Sequence, residues 1–142
     1  MKKVAIVYWS GTGNTQAMAE EAAKSAQAAG ADATLFTASA FSASRLDEFD
    51  AIGFGCPAMG AEVLEESEFE PLFAECEPKL KGKKIALFGS YDWGDGEWMR
   101  LWNERCETAG AVLAAGSVIA NNAPDAAALA SCRILGAALA AA

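Results

Sequence analysis

Ser10-Gly11-Thr12-Gly13-Asn14-Thr15 lies between an apolar run, Val4-Ala5-Ile6-Val7-Tyr8-Trp9, and a helical pattern that begins near Gln16. A β-branched and aromatic run, a glycine-rich turn and then a helix admit few folds other than strand, tight turn, helix. Glycines let the turn close around an anion, and the first N–H groups of the helix point outward without intrahelical partners. The hydroxyls of Ser10, Thr12 and Thr15 and the amide of Asn14 add neutral donors. No Lys or Arg stands between Lys3 and Lys24, and the Gly-Lys-Ser/Thr of a triphosphate loop is absent. A loop built only of dipoles suits a phosphate that is kept rather than transferred. The dinucleotide fingerprint fails for want of a third glycine after Gly11 and Gly13. A Ser/Gly-rich turn with no ligand is the plain alternative for this loop taken alone.

The same strand–helix alternation repeats along the chain. Strands are expected at Lys3 to Trp9, Asp32 to Thr37, Ala51 to Gly55, Ile85 to Gly89 and Val112 to Ile119. Helices are expected from Gln16 to about Ala29, Glu66 to Leu80, Glu97 to Ala109, and after Pro124, whose missing N–H costs nothing in a first turn. Ser39 to Glu48 reads as a loop with a short helical turn. Five βα repeats without a linker predict one α/β domain over 1–142, a doubly wound five-stranded parallel sheet in the order 2-1-3-4-5. Ligands of such sheets bind beyond the carboxyl ends of the strands, at the switch between strands 1 and 3. The elaborate loops after strands 1, 3 and 4 all fall on that edge.

Composition removes several chemistries. The chain has no histidine, so His bases, His-based triads and His-ligated metals are excluded. A net charge of −8 argues against nucleic acid or an anionic membrane and for basic partners. Alanine supplies 33 residues, so apolar content overstates the core. Cys56, Cys76, Cys106 and Cys132 form no C-x-x-C pair and read as buried, inert thiols. Neither a signal peptide nor an apolar run of membrane-spanning length is expected, which predicts a cytoplasmic protein.

The third and fourth strands end in unusual loops. Trp93 lies between Asp92 and Gly94, on a loop where a large ring has little reason to be. Beside a phosphate loop it reads as a stacking platform for a planar heterocycle; the plain alternative is a lid folded on the core. Tyr91 and Met59 are secondary candidates. The run Glu62, Glu65, Glu66, Glu68, Glu70 reads as a solvated helix start favoured by the dipole, with Glu62 as a possible acceptor for a ring N–H.

Three segments then resemble the short-chain flavodoxins of the clostridial kind: Tyr8 to Thr15, Ala58 to Pro71 and Leu87 to Gly96. The resemblance spans essentially the whole chain. It implies one non-covalent FMN, with Ser10, Gly11, Thr12, Gly13, Asn14 and Thr15 on the phosphate. Pro57, Ser90 and Asn122 would lie along the ribityl chain and ring edge. Met59, within Ala58-Met59-Gly60-Ala61-Glu62, would pack on the inner ring face, and Trp93, within Tyr91-Asp92-Trp93-Gly94, on the outer. Glu62 would accept from N3–H, with backbone donors from Asp92 and Trp93. It also implies a Met59 to Glu62 turn that reverses its peptide after Gly60 on reduction, asking positive φ of Ala61, where the family more often has Gly, Asp or Asn. The expected function is a low-potential one-electron carrier moving between semiquinone and hydroquinone, an electron-transfer protein rather than an enzyme. Its acidic rim would meet basic faces of reductases or low-potential acceptors, and the chain is expected as a monomer. The alternative is a flavin reductase or redox activator of the same fold. A phospho-receiver wants an acidic cluster after strand 1, and a low-molecular-weight phosphatase wants a cysteine there; Trp9-Ser10 supplies neither.

Overall fold

The computed structural model describes residues 1–142. Strand β1 (Lys3–Tyr8) is followed by α1 (Asn14–Ala28), β2 (Asp32–Thr37) and two 3₁₀ turns, Ala38–Ala40 and Ala43–Glu48. Then come β3 (Ala51–Gly55), α2 (Phe69–Cys76), a 3₁₀ turn at Glu77–Lys79, β4 (Lys84–Tyr91) and α3 (Glu97–Thr108). The chain closes with β5 (Val112–Leu113), β6 (Val118–Asn121) and α4 (Ala126–Ala141). All pairings are parallel, in the order β2-β1-β3-β4-β5, with β6 also on β4. The expected order 2-1-3-4-5 is therefore observed.

Alternation along the buried strands sends side chains into two unlike layers. Ile85 and Leu87 of β4 join the layer under α2 and α3, which holds Phe54, Phe69, Phe73, Trp98 and Trp102. Ala86 and Phe88 face α1 and α4, where alanines dominate. Small side chains bring those two helices close: a β-carbon at Gly136 would stand 2.2 Å from the Ala22 carbonyl oxygen. All four cysteines are free and buried, and burial pushes Cys76 up to about 11 and Cys106 and Cys132 up to about 12.

Three elements differ from the sequence reading. Helix α2 starts at Phe69 rather than Glu66, because the chain from Glu65 to Glu68 forms its cap. It ends at Cys76 rather than Leu80, where Pro78 brings no N–H and the backbone tightens to a 3₁₀ turn. The last strand is broken. Pairing runs Ile85 with Leu113 and resumes at Phe88 with Val118, so Ala114 to Ser117 face only Ala86 and Leu87 and must loop out. Helix α4 opens at Ala126, not at Pro124, since Asp125 takes the N-cap and accepts from the Ala128 N–H at 2.8 Å. No helix is long and apolar enough to cross a membrane.

Candidate functional site

Beyond the carboxyl ends of β1, β3 and β4 the chains stay paired for another step before they diverge. Trp9 N–H donates to the Gly55 carbonyl at 3.0 Å, Cys56 N–H to Phe88 at 3.1 Å, and Ala58 N–H to Ser90 at 3.0 Å. The three loops thus leave the sheet side by side and enclose an open cleft of about 210 Å³. From the first loop it is lined by Gly11, Thr12 and Asn14, and from the second by Pro57, Ala58 and Met59. Ser90, Tyr91 and Asp92 form the third side, with Asn122, in left-handed backbone at φ 59°, reaching in after β6.

At the start of α1 the N–H groups of Gly11, Thr12, Asn14 and Thr15 meet no acceptor in the chain, whereas those of Gly13 and Gln16 donate to Ser10 Oγ at 3.1 and 3.3 Å. Ser10 is therefore turned under the loop as its local cap. Thr15 is buried, its hydroxyl 2.9 Å from Ser90 Oγ and accepting from the Ser90 N–H at 3.3 Å. That pair ties the first loop to β4. Asp92 is the only charged residue on the cleft wall, and no cation lines it. This donor set fits a dianionic phosphate held by neutral dipoles.

The second loop is a hairpin tip. Met59 and Val63 exchange backbone hydrogen bonds of 2.8 and 2.9 Å, one residue wider than the Met59 to Glu62 turn expected. Left-handed backbone falls on Gly60 (φ 51°) and Glu62 (φ 55°), not on Ala61. Gly60 and Ala61 are exposed at the tip, outside the cleft wall. Met59 lines the cleft while remaining 37% exposed. Trp93 is 59% exposed and belongs to neither core layer, so it is no lid on the core. The N–H groups of Asp92 and Trp93 also meet no acceptor in the chain. Glu62 does not line the cleft; its Oε1 accepts from the Glu97 N–H at 3.1 Å, over Gly94.

Two contributors were not singled out from sequence. Trp9 lines the cleft, its ring 3.0 Å from where a β-carbon on Gly11 would stand. Its place at the end of β1, pointing toward the loop, was the available signal. Glu65, read as solvated surface, is buried and holds the second loop's far end. Its Oε1 accepts from the Glu68 and Phe69 N–H groups at 2.7 and 2.9 Å, and Oε2 from the Ser67 N–H at 2.9 Å and the Ser67 hydroxyl. Its own N–H donates to Cys56 Sγ at 3.3 Å. Burial raises the Glu65 carboxyl, but the hydrogen bonds from the Ser67 hydroxyl and the three N–H groups outweigh it and hold the carboxyl at about 2.

The sequence pattern of Flavodoxin matches residues 6–136. The flavodoxin of Megasphaera elsdenii is 52% identical over 122 residues, 86% of this chain and 88% of that protein. The flavodoxin of Clostridium beijerinckii is 51% identical over 120 residues, 84% of this chain and 87% of that one. The solution structure of two-electron reduced Megasphaera elsdenii flavodoxin matches with a TM-score of 0.91 at 50% identity, covering 98% of this chain and 99% of that chain.

Proposed function

The chain belongs to the flavodoxin family, electron carriers built around FMN, and on that premise we propose that its FMN occupies the cleft between the loops after β1, β3 and β4. The unpaired N–H groups of Gly11, Thr12, Asn14 and Thr15 carry the reading: four donors within one short loop at a helix start have nothing in the chain to accept them. Thr12 and Asn14 side chains complete the phosphate cradle. Ser10 and Gly13 shape that turn, and Thr15 fixes it to Ser90. Pro57, Ala58, Ser90, Tyr91 and Asn122 flank the chain and ring edge; Met59 and Trp93 stand at the two ring faces. Gly60, Ala61 and Gly94 belong to the loops that carry them.

The flavin, when bound, supplies one-electron chemistry. The chain supplies an environment in which added negative charge is costly. The phosphate is met without a cation, and the carboxylates of Asp92, Glu62 and Glu97 stand around the ring end. Asp95 contributes less, being paired with Arg100 at 3.0 Å in an exposed ion pair. Such surroundings oppose a further electron and make the carrier low in potential. The acidic rim steers basic faces of reductases or low-potential acceptors toward the exposed ring edge. The chain acts as a cytoplasmic monomer and as a carrier without a substrate of its own.

Titration of the full chain with FMN and with riboflavin tests this reading. One FMN per chain, bound at least about a hundredfold more tightly than riboflavin, is expected from about two charge-assisted bonds. Equal affinity for the two flavins would remove the first loop from its role. Steady NAD(P)H oxidation by the isolated protein would favour a flavin reductase.

A further inference from the structure

Glu62 stands outside the cleft, and there it joins the two loops that flank it. Its left-handed backbone, φ 55°, is one that a residue with a β-carbon holds only where the surroundings fix it. The Met59–Val63 hydrogen-bond pair closes the hairpin that imposes it. From that backbone the carboxylate reaches the third loop. Oε1 accepts from the N–H of Glu97, the first residue of α3, whose N-cap Gly96 has no side chain to do so. The carboxylate fills the space over the bare Cα of Gly94, where a β-carbon would lie 2.6 Å from Glu62 Cδ. A negative charge carried by one flank of the cleft thus caps a helix belonging to the other, at the end where the helix dipole favours it. Around it lies a separate cavity of about 150 Å³, bordered by Leu64, Trp98 and Leu101.

We propose that Glu62 is a two-position clasp. In the flavin-free chain it ties the Met59 hairpin to the Trp93 loop through the N-terminus of α3; FMN binding withdraws it to the ring edge and frees the Glu97 N–H. The proposal rests on the FMN reading of the cleft. The carboxylate accepts from Glu97 while lying over Gly94, off the cleft wall, and swinging it to a ring seated in the cleft draws it away from the start of α3. Before FMN arrives, the two ring walls are held to each other. Once it is bound, the same carboxylate holds the ring, and Trp93 is free to settle on the outer face.

Amide hydrogen exchange on the full chain, with and without FMN, tests the clasp. FMN should protect the amides of Gly11 to Thr15 yet speed exchange at Glu97 by about tenfold, the worth of one charge-assisted hydrogen bond. Without flavin, Glu62→Ala should speed Glu97 exchange by about the same factor. Glu62→Gln, which keeps a carbonyl acceptor, should retain most of the protection. Gly94→Ala should release Glu97 with Glu62 intact. The clasp is wrong if Glu62→Ala leaves Glu97 exchange unchanged in the flavin-free chain, or if FMN protects the first loop while Glu97 stays as slow as before. If FMN protects no amide of the first loop, it is the cleft assignment that fails, and the Glu62→Ala comparison still decides whether the flavin-free half of the clasp exists.

Discussion

Replacing Glu65 by glutamine takes away the far anchor of the loop that runs from Pro57 to Leu64, whose first residues line the cleft. The carboxylate is 6% exposed and accepts three backbone N–H groups and one hydroxyl. A carboxyl held at about 2 against its ordinary 4.5 contributes about 3 kcal/mol of stability at neutral pH. Because the folded-state value is depressed, that stabilisation is complete above about 4.5 and is lost as pH falls from there toward 2. Glutamine keeps one oxygen for one pair of donors and turns an NH₂ toward the other pair. Two buried donors are then unmet, at a cost of about 2–3 kcal/mol, a large share of the stability of a domain this size. Urea unfolding of the wild-type chain and Glu65→Gln at pH 7 should differ by that amount. The difference should narrow as pH is lowered through 4.5 to 3, since only the wild type loses the ionised group. Because Glu65 N–H also holds Cys56 Sγ, FMN affinity should fall with stability. Equal stability at pH 7, or a gap that does not shrink by pH 3, would refute the argument.

Thr12→Ala and Asn14→Ala should each weaken FMN by about 1.5–3 kcal/mol while leaving riboflavin nearly unchanged, as read by fluorescence titration. Trp93→Ala should loosen FMN by about 0.5–1.5 kcal/mol beyond area burial and leave the flavin-free melting temperature unaltered; Trp93 emission should be quenched in the loaded protein and return when FMN is stripped. Thr15→Val should lower stability by about 1–3 kcal/mol by leaving Ser90 unpartnered, with Thr15→Ser near wild type in the same thermal melts. Ala61→Gly should raise the first one-electron potential by about 40–80 mV, the equivalent of relieving a left-handed alanine in the reversed turn; a redox titration showing no change or a fall would mean the turn is not used.

The strand–helix order was legible because each strand is continuously apolar and each helix carries a short apolar stripe, signals that are local. The first loop was legible for the same reason: its glycines and hydroxyls are consecutive and their consequence, free N–H groups, is a property of any helix start. What was not legible depends on distant partners. Glu65 looks like its acidic neighbours, since glutamate is not a customary cap; only the fold of Glu65 to Phe69 turns four donors onto it. The break in the last strand comes from a count across the ladder, four residues against two, which no single strand displays. For Glu62 the sequence suggested a ring N–H as partner and gave no sign of its bond to the Glu97 N–H, thirty-five residues away. The turn reading fixed on Gly60, whereas the hairpin closes one residue wider and spends its second left-handed position on Glu62 itself. Asp125 is the exception, a local cap signal beside a proline that drew the eye first.

Charge placement follows the sheet's polarity. Six of the seven lysines, Lys2, Lys3, Lys79, Lys81, Lys83 and Lys84, lie at or just before the starts of β1 and β4. Parallel pairing through β3, with Val4 beside Ala51 and Ala51 beside Lys84, puts those starts on one edge of the sheet. No lysine is in an ion pair; every salt bridge uses an arginine. The cleft opens at the opposite edge, where Glu62, Asp92, Asp95 and Glu97 gather and only Arg100 answers them. A chain of net −8 therefore carries its negative charge unevenly, with the cleft edge more negative than the average. Under the proposed function, a basic partner would be drawn to the edge where a ring is exposed and turned away from the lysine edge. Lysines can collect at the strand starts at no cost to the cleft, because the length of the parallel strands keeps the two edges apart.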